Sequence, residues 1–320
     1  MSNRRVLPLS GVTRRGLFVG AGLIAAPFIV RSRSSPVQSI DVPPDRTYPR
    51  HDLLISPEAL FQRIVVDRQP VRLLDATDLA TFREDHLPGA IHVWWQDTME
   101  LNTPYYGMVL KPDDGDADQG RRRRLLERLA INPAEEVVVY GNTTNMPAAR
   151  VCWFLRFLGI TAAVLDGGRA GWLGIDGPMS DQSPDVAESS VTEITPRQDF
   201  YLSVSSIAER MAEGGSQLID LREPREQIDG PYRQLRIPGA VLLPRSTFVN
   251  GTGLIRSAAE LSQIIAAAGI DLTAELMLIG PTGLDASLPW LALSLVGADP
   301  VIIADGGWQE WIDEPSLPLD

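Results

Sequence analysis

The chain has 320 residues, 44% hydrophobic and 22% charged, which is material for about two ordinary globular domains. Its formal charge of −12 is uneven: Arg4, Arg5, Arg14, Arg15 and Arg31 precede position 33, no acidic residue precedes Asp41, and the remainder carries 24 basic against 41 acidic residues. So acidic a body excludes nucleic acid and anionic membrane surfaces as partners, and a single cysteine excludes an internal disulfide framework, because bridges need pairs.

The leader comes first. Thr13-Arg14-Arg15-Gly16-Leu17-Phe18 sets paired arginines before an apolar stretch, Leu17 to Val30, whose 14 residues fall short of the roughly 20 needed to cross a bilayer. Residues 1–32 resemble a bacterial twin-arginine export signal with a cleavage point after Ser32; the alternative is an uncleaved N-terminal anchor. The expected location is periplasmic, with membrane contact only if this segment is retained. Residues 33–51 then read as a linker to a first domain, 52–177.

Ser56-Pro57-Glu58 opens a helix with a capping serine and a first-turn proline, and Leu60, Phe61 and Ile64 give it one apolar face. Strands follow at 71–75 and near 91–93, a helix over 121–130, a strand over 137–140, a helix from about 147 to 158 and a strand over 163–165. Residues 178–199, rich in Pro, Ser, Asp and Glu, read as a linker to a second domain, 200–315. There Ser257-Ala258-Ala259-Glu260 is a capping box opening a helix that reaches Ala268, and 288–296 forms a further helix. Short apolar strands alternating with helices predict an α/β fold with a parallel sheet covered on both faces.

The two halves repeat one another. Asp-Gly-Gly, three variable residues and Trp occurs at 166–172 and at 305–311, each time 25 residues after a glycine that closes an apolar run, Gly141 and Gly280. Leu73-Leu74-Asp75 answers Leu218-Ile219-Asp220, and Leu87-Pro88-Gly89-Ala90 answers Ile237-Pro238-Gly239-Ala240. The offsets are 139 residues for the glycines and Asp-Gly-Gly, 145 for the aspartates and 150 for the Pro-Gly-Ala turns, so the copies differ by loop insertions.

This order of landmarks resembles the rhodanese homology domain, and two in tandem resemble the thiosulfate and mercaptopyruvate sulfurtransferases. The resemblance implies two rhodanese-like doubly wound α/β domains. It also implies that the second domain's corner loop, between strand and helix, begins with a cysteine that carries sulfur as a persulfide. By that resemblance Gly280 stands at the cysteine's position and Gly141 at its first-domain counterpart, so no catalytic residue is expected and the enzyme activity is expected to be lost.

A strand-to-helix corner points backbone N–H groups and a helix N-terminus inward, which suits an anion. The candidate binding residues are therefore Asn142, Thr143, Thr144 and Asn145 in the first loop and Thr282, Gly283 and Asp285 in the second. Pro281 removes one donor, and Asp285 reads first as a helix cap. Glu226 stands where tandem members often carry an arginine, with Arg225 beside it as a substitute. Arg222 matches the family's Asp-x-Arg, as substrate contact or as structural ion pair; its first-domain counterpart is Thr77. If the loop keeps the family geometry, Gly280→Cys should create a thiol of lowered pKa.

Cys152 lies inside a helix among Val151, Trp153 and Leu155 and reads as packed core. His86 and His92, six apart, read as structural histidines, and His51 stands alone before the first domain. No cofactor and no metal are expected, although Asp114, Asp116 and Asp118 alternate as in a calcium loop; a solvated acidic loop is the alternative. Trp94, Trp95, Tyr105 and Tyr106 read mostly as core or domain-interface residues, with a partner-binding surface as the alternative of the same composition. Three functions remain open: an exported, non-catalytic protein binding a small sulfur-containing anion or a periplasmic protein partner; an active sulfurtransferase using Cys152 or a partner's thiol; and a structural subunit of a periplasmic redox or sulfur-handling assembly.

Overall fold

The computed structural model describes residues 43, 46–99, 116–132, 135–142, 146–184, 194, 196–197, 199–226 and 235–320. The leader arginines and apolar stretch, Asp114, Tyr105, Tyr106 and Thr143 to Asn145 lie outside them. Among the described residues no helix is long and apolar enough to cross a membrane.

Unit one comprises β1 (Leu54–Ile55), α1 (Pro57–Phe61), β2 (Arg72–Asp75), α2 (Leu79–Glu84), β3 (Ile91–His92), α3 (Asp116–Arg128), β4 (Val137–Tyr140), α4 (Met146–Phe157), β5 (Ala162–Leu165) and α5 (Gly168–Gly174). Unit two follows with β6 (Tyr201–Leu202), α6 (Val204–Glu213), β7 (Ser216–Asp220), β8 (Val241–Leu242), α7 (Ala258–Ala267), β9 (Glu275–Ile279), α8 (Gly283–Leu295), β10 (Val301–Ala304) and α9 (Gly307–Asp313). Each half forms a five-stranded sheet, ordered β1-β5-β4-β2-β3 and β6-β10-β9-β7-β8, with every pairing parallel.

The central strands explain why the sequence shows apolar runs there instead of alternation. Val137 and Val139 face one core and Val138 and Tyr140 another, just as Leu276 and Leu278 oppose Met277 and Ile279. A parallel strand covered on both faces must be apolar at every position. The inner faces of the two sheets share one continuous core, where α4 packs on α8 and brings Trp153 and Phe154 into the same cluster as Trp290 and Leu291.

The caps hold as read. Ser56 accepts the Ala59 N–H at 3.2 Å, and Ser257 and Glu260 close a capping box on α7. The α8 helix begins five residues earlier than its apolar pattern suggests, at Gly283, and carries Pro289 in its interior. The α3 helix also starts early, at Asp116.

Segments read as linkers are partly built into the units. The Trp172 indole donates to the Pro178 carbonyl at 2.9 Å, and His86 and Ser180 pair through both backbone groups at 2.8 Å. Its counterpart Trp311 donates to Pro318 O at 3.2 Å, and Arg236 and Asp320 exchange backbone hydrogen bonds, so unit two extends to the last residue. Residues 46–50 lie against unit two, with Tyr48 buried and the Arg50 N–H donating to Leu295 O at 3.1 Å.

Candidate functional site

Both corner loops leave the C-terminal ends of central strands and are braced from behind by the Asp-Gly-Gly turns. The Arg169 N–H donates to Gly141 O and the Trp308 N–H to Gly280 O, each at 2.8 Å, so the 139-residue offset holds to the individual hydrogen bond. In the second loop the Gly283 N–H is taken by Asp305 O at 2.9 Å. A side chain at Gly283 has no room, since its Cβ would fall 1.8 Å from Asp305 Oδ1.

Gly280 directly follows β9. A Cβ there would stand 2.9 Å from Asp285 Cβ, 2.9 Å from Thr282 O and 3.4 Å from Ala286 N. The expectation that Gly280→Cys would simply restore a reactive thiol therefore needs correction, because Asp285 already occupies the space. Its carboxylate accepts the Thr282 N–H at 3.1 Å and the Thr282 hydroxyl at 2.7 Å. Asp285 is thus a helix cap, and it fills the cradle from within. Of the loop's first donors, Pro281 has none, Thr282 serves Asp285 and Gly283 serves Asp305.

The cation beside this loop is Arg245, a residue that nothing in the repeat singles out. It lies in a short 3-10 turn (Arg245–Phe248) after β8. Its two terminal nitrogens each meet a Glu226 oxygen at 2.6 Å, and its Nε lies 3.2 Å from Asp285 Oδ1. Burial alone would raise the Glu226 carboxyl, but hydrogen bonds from Arg245 and from the Glu223 N–H outweigh it and hold the group below its ordinary value. The hydrogen bond to Glu226 raises the Arg245 pKa, against partial burial. Glu223 is nearby and accepts from the Ser246 N–H and hydroxyl at 2.8 and 2.9 Å. The mouth thus holds three carboxylates to one guanidinium. Arg225, the expected substitute, is exposed.

Arg222 is a structural ion pair. It is buried, holds both oxygens of Asp220 at 2.5 to 3.0 Å, stacks 3.5 Å from the centre of the Trp308 ring and donates to Leu235 O at 3.2 Å. Unit one lacks this arginine at Thr77, and there Arg169, the counterpart of Trp308, is buried instead and pairs with Asp85, the counterpart of Leu235. Asp75 is served by the Thr77 N–H at 2.8 Å and the Tyr140 hydroxyl at 2.6 Å, while burial pushes its carboxyl up. Of the first loop, Asn142 is described: its carbonyl accepts the Ala170 N–H at 3.3 Å.

Cys152 takes no part in this cluster of charges. It is fully buried in α4, its thiol donates to Ala162 O at 3.4 Å, and burial pushes it up to about 12 despite the nearby Arg156. A thiol so placed stays protonated at neutral pH. The two His86 nitrogens face carbonyls, Phe82 O at 2.9 Å and Gln182 O at 3.0 Å, and His92 Nε2 faces Thr77 O at 3.0 Å, so each ring is held by the backbone of unit one. Trp95 packs against the core, and Trp94 is 41% exposed beyond edge strand β3, edge-on to His92. Among the described residues no group of three or more His, Cys, Asp or Glu could hold a metal ion.

The comparisons agree with this architecture. The profile of the rhodanese-like domain matches residues 57–174 and 203–314. A putative thiosulfate sulfurtransferase of Haloferax volcanii is 28% identical over 285 residues, covering 84% of this chain and 96% of the relative. One of Mycobacterium tuberculosis is 30% identical over 257 residues, covering 76% and 88%. The crystal structure of a 3-mercaptopyruvate sulfotransferase from Escherichia coli superposes with a TM-score of 0.67 over 80% of this chain and 98% of its own, at 21% identity, a likeness of fold.

Proposed function

Since this chain belongs to the rhodanese-like domain family, we propose that it is a tandem member that recognises a partner at its second corner loop without forming a persulfide of its own. The carrying observation is the absence of both a thiol and the room for one at Gly280, taken as the counterpart of the family's cysteine. The chain's single cysteine is sealed in α4 and held protonated by burial. The charge at the mouth favours the protein-partner form of this reading over a small sulfur-containing anion, which would meet the carboxylates of Asp285, Glu226 and Glu223 around the one guanidinium of Arg245. Export through the twin-arginine-like leader is part of the proposal.

A second reading, a working sulfurtransferase, draws support from relatives named thiosulfate sulfurtransferase over most of the chain. It would need the acceptor or a partner to supply the thiol. Sulfur transfer from thiosulfate to cyanide by the purified chain and by its Cys152→Ser variant separates the two. Background rates in both support recognition without transfer; turnover well above background overturns it, and loss of that turnover in the variant would assign it to Cys152. Replacing Arg14 and Arg15 by Lys tests export: the protein should stay in the cytoplasm, and unchanged periplasmic recovery refutes the leader reading.

A further inference from the structure

The two Asp-Gly-Gly aspartates are both buried, and a buried carboxylate needs a cation or a proton. Asp305 of unit two receives its cation across the unit boundary from Arg150 of α4. Nη1 of Arg150 pairs with Asp305 Oδ1 and Nη2 with Oδ2 at 3.1 Å, both side chains are fully buried, and Nε reaches Thr98 Oγ1 at 3.2 Å. Because Gly283 leans on the same aspartate, a unit-one arginine underpins the floor of the unit-two corner loop.

The reciprocal latch cannot form in the same way. The 139-residue offset makes Pro289 of α8 the counterpart of Arg150, and α4 and α8 pack on each other, so exchanging the units would bring position 289 towards Asp166. Proline carries no charge. Arg46 fills the gap: its Nη1 pairs with Asp166 Oδ2 at 2.5 Å, and its Nη2 donates to the Tyr48 hydroxyl at 2.5 Å and to the Ile255 carbonyl of unit two. Tyr48 in turn donates to Arg256 O at 2.8 Å, and Arg50 to Leu295 O at 3.1 Å, before the chain enters unit one at β1. Burial pushes the Asp166 carboxyl up, and the charge and hydrogen bond of Arg46 work against it.

We infer that residues 46–50 are a clasp, with Arg46 standing in for the arginine that Pro289 replaces. The clasp ties the Asp-Gly-Gly turn of unit one to unit two and so braces corner loop one, as Arg150 braces corner loop two. Its release would leave Asp166 buried without a cation and loosen loop one while loop two stays held.

Native-state amide exchange and a double-mutant cycle test this on the full chain. Arg46→Ala should speed exchange of the Arg169 and Ala170 amides, which donate to Gly141 and Asn142, by about tenfold or more, and leave Gly283 and Trp308 unchanged. Unchanged exchange at Arg169, or an equal rise at both loops, overturns the clasp. In the cycle with Asp166→Asn, the double variant should be more stable to urea than Arg46→Ala alone, because the stranded charge is gone. Additive losses would mean that Arg46 serves only by packing, and would overturn the ion-pair role. Adding Pro289→Arg to Arg46→Ala should recover protection at Arg169. No recovery, or loss of the fold in that variant, counts against the counterpart relation, which requires room for the arginine there.

Discussion

Placing a cysteine at the second corner is the sharpest test of how the loop is filled. In Gly280→Cys the new Cβ would stand 2.9 Å from Asp285 Cβ and 2.9 Å from Thr282 O, closer than real contacts allow, so either the loop or α8 must shift. Overpacking of this kind costs about 1–3 kcal/mol. Asp285→Ala cannot relieve its share of the clash, because alanine keeps the offending Cβ; Asp285→Gly removes that share and leaves the contact with the Thr282 carbonyl, at the expense of the two Thr282 hydrogen bonds, a loss of about 1 kcal/mol for a cap. The single variant should therefore be less stable to urea by about 1–3 kcal/mol, with its thiol flanked by carboxylates and titrating at or above the usual value of about 8.5. Combined with Asp285→Gly, Arg245 is freed from one carboxylate and the thiol should fall by about one unit or more. Iodoacetamide alkylation followed against pH, in a Cys152→Ser background, reads both. A single variant as stable as the parent, with a thiol titrating below about pH 7, would refute the claim that Asp285 occupies the cradle.

Two further outcomes follow from the hydrogen-bonded groups around the corners. The Glu226 carboxyl is held below its ordinary value, so its contribution is fully present above the unfolded-state pKa and is lost as pH falls through the folded one. Arg245→Ala should therefore cost about 0.5–1 kcal/mol at pH 7, a small figure because the pair is partly screened by solvent. The gap to the parent should close in acid, and a gap that widens in acid would show that Glu226 is not the group involved. In Tyr140→Phe, Asp75 loses a donor at 2.6 Å and the Leu87 N–H loses its acceptor at 3.0 Å, both buried. The expected loss is about 2–4 kcal/mol from two unsatisfied groups, measured by urea unfolding, and a cost below about 0.5 kcal/mol would contradict the hydrogen-bond assignment.

What the sequence reveals and what it hides divide along the range of the interactions. Val137 to Tyr140, the Ser257 capping box and the two Asp-Gly-Gly phrases are legible because backbone geometry and local burial dictate residue types within a few positions of one another. Gly280 and Asp285 are legible as residues, but their collision is not, since it depends on the turn bringing a Cβ position and a methylene together. Arg245 escapes notice because its partners, Glu226 and Asp285, are 19 and 40 residues away with no period linking them. Arg46 is hidden further still: in an arginine-rich N-terminal region it looks like one more solvated charge, and its bond to Asp166 spans 120 residues. Whether Trp94 is buried or exposed is hidden for a related reason, since the edge position of the strand before it is set by the rest of the sheet.

The exchange between Thr77 with Arg169 in one half and Arg222 with Trp308 in the other bears on how duplicated proteins diverge. A column-by-column reading would score a deletion of charge in one column and an unrelated acquisition in the next. In three dimensions, each half keeps one buried guanidinium in this region, Arg222 on Asp220 in unit two and Arg169 on Asp85 in unit one. Evolutionary comparison of such chains should follow buried charge through the fold, because a cation can change its point of attachment and its carboxylate together.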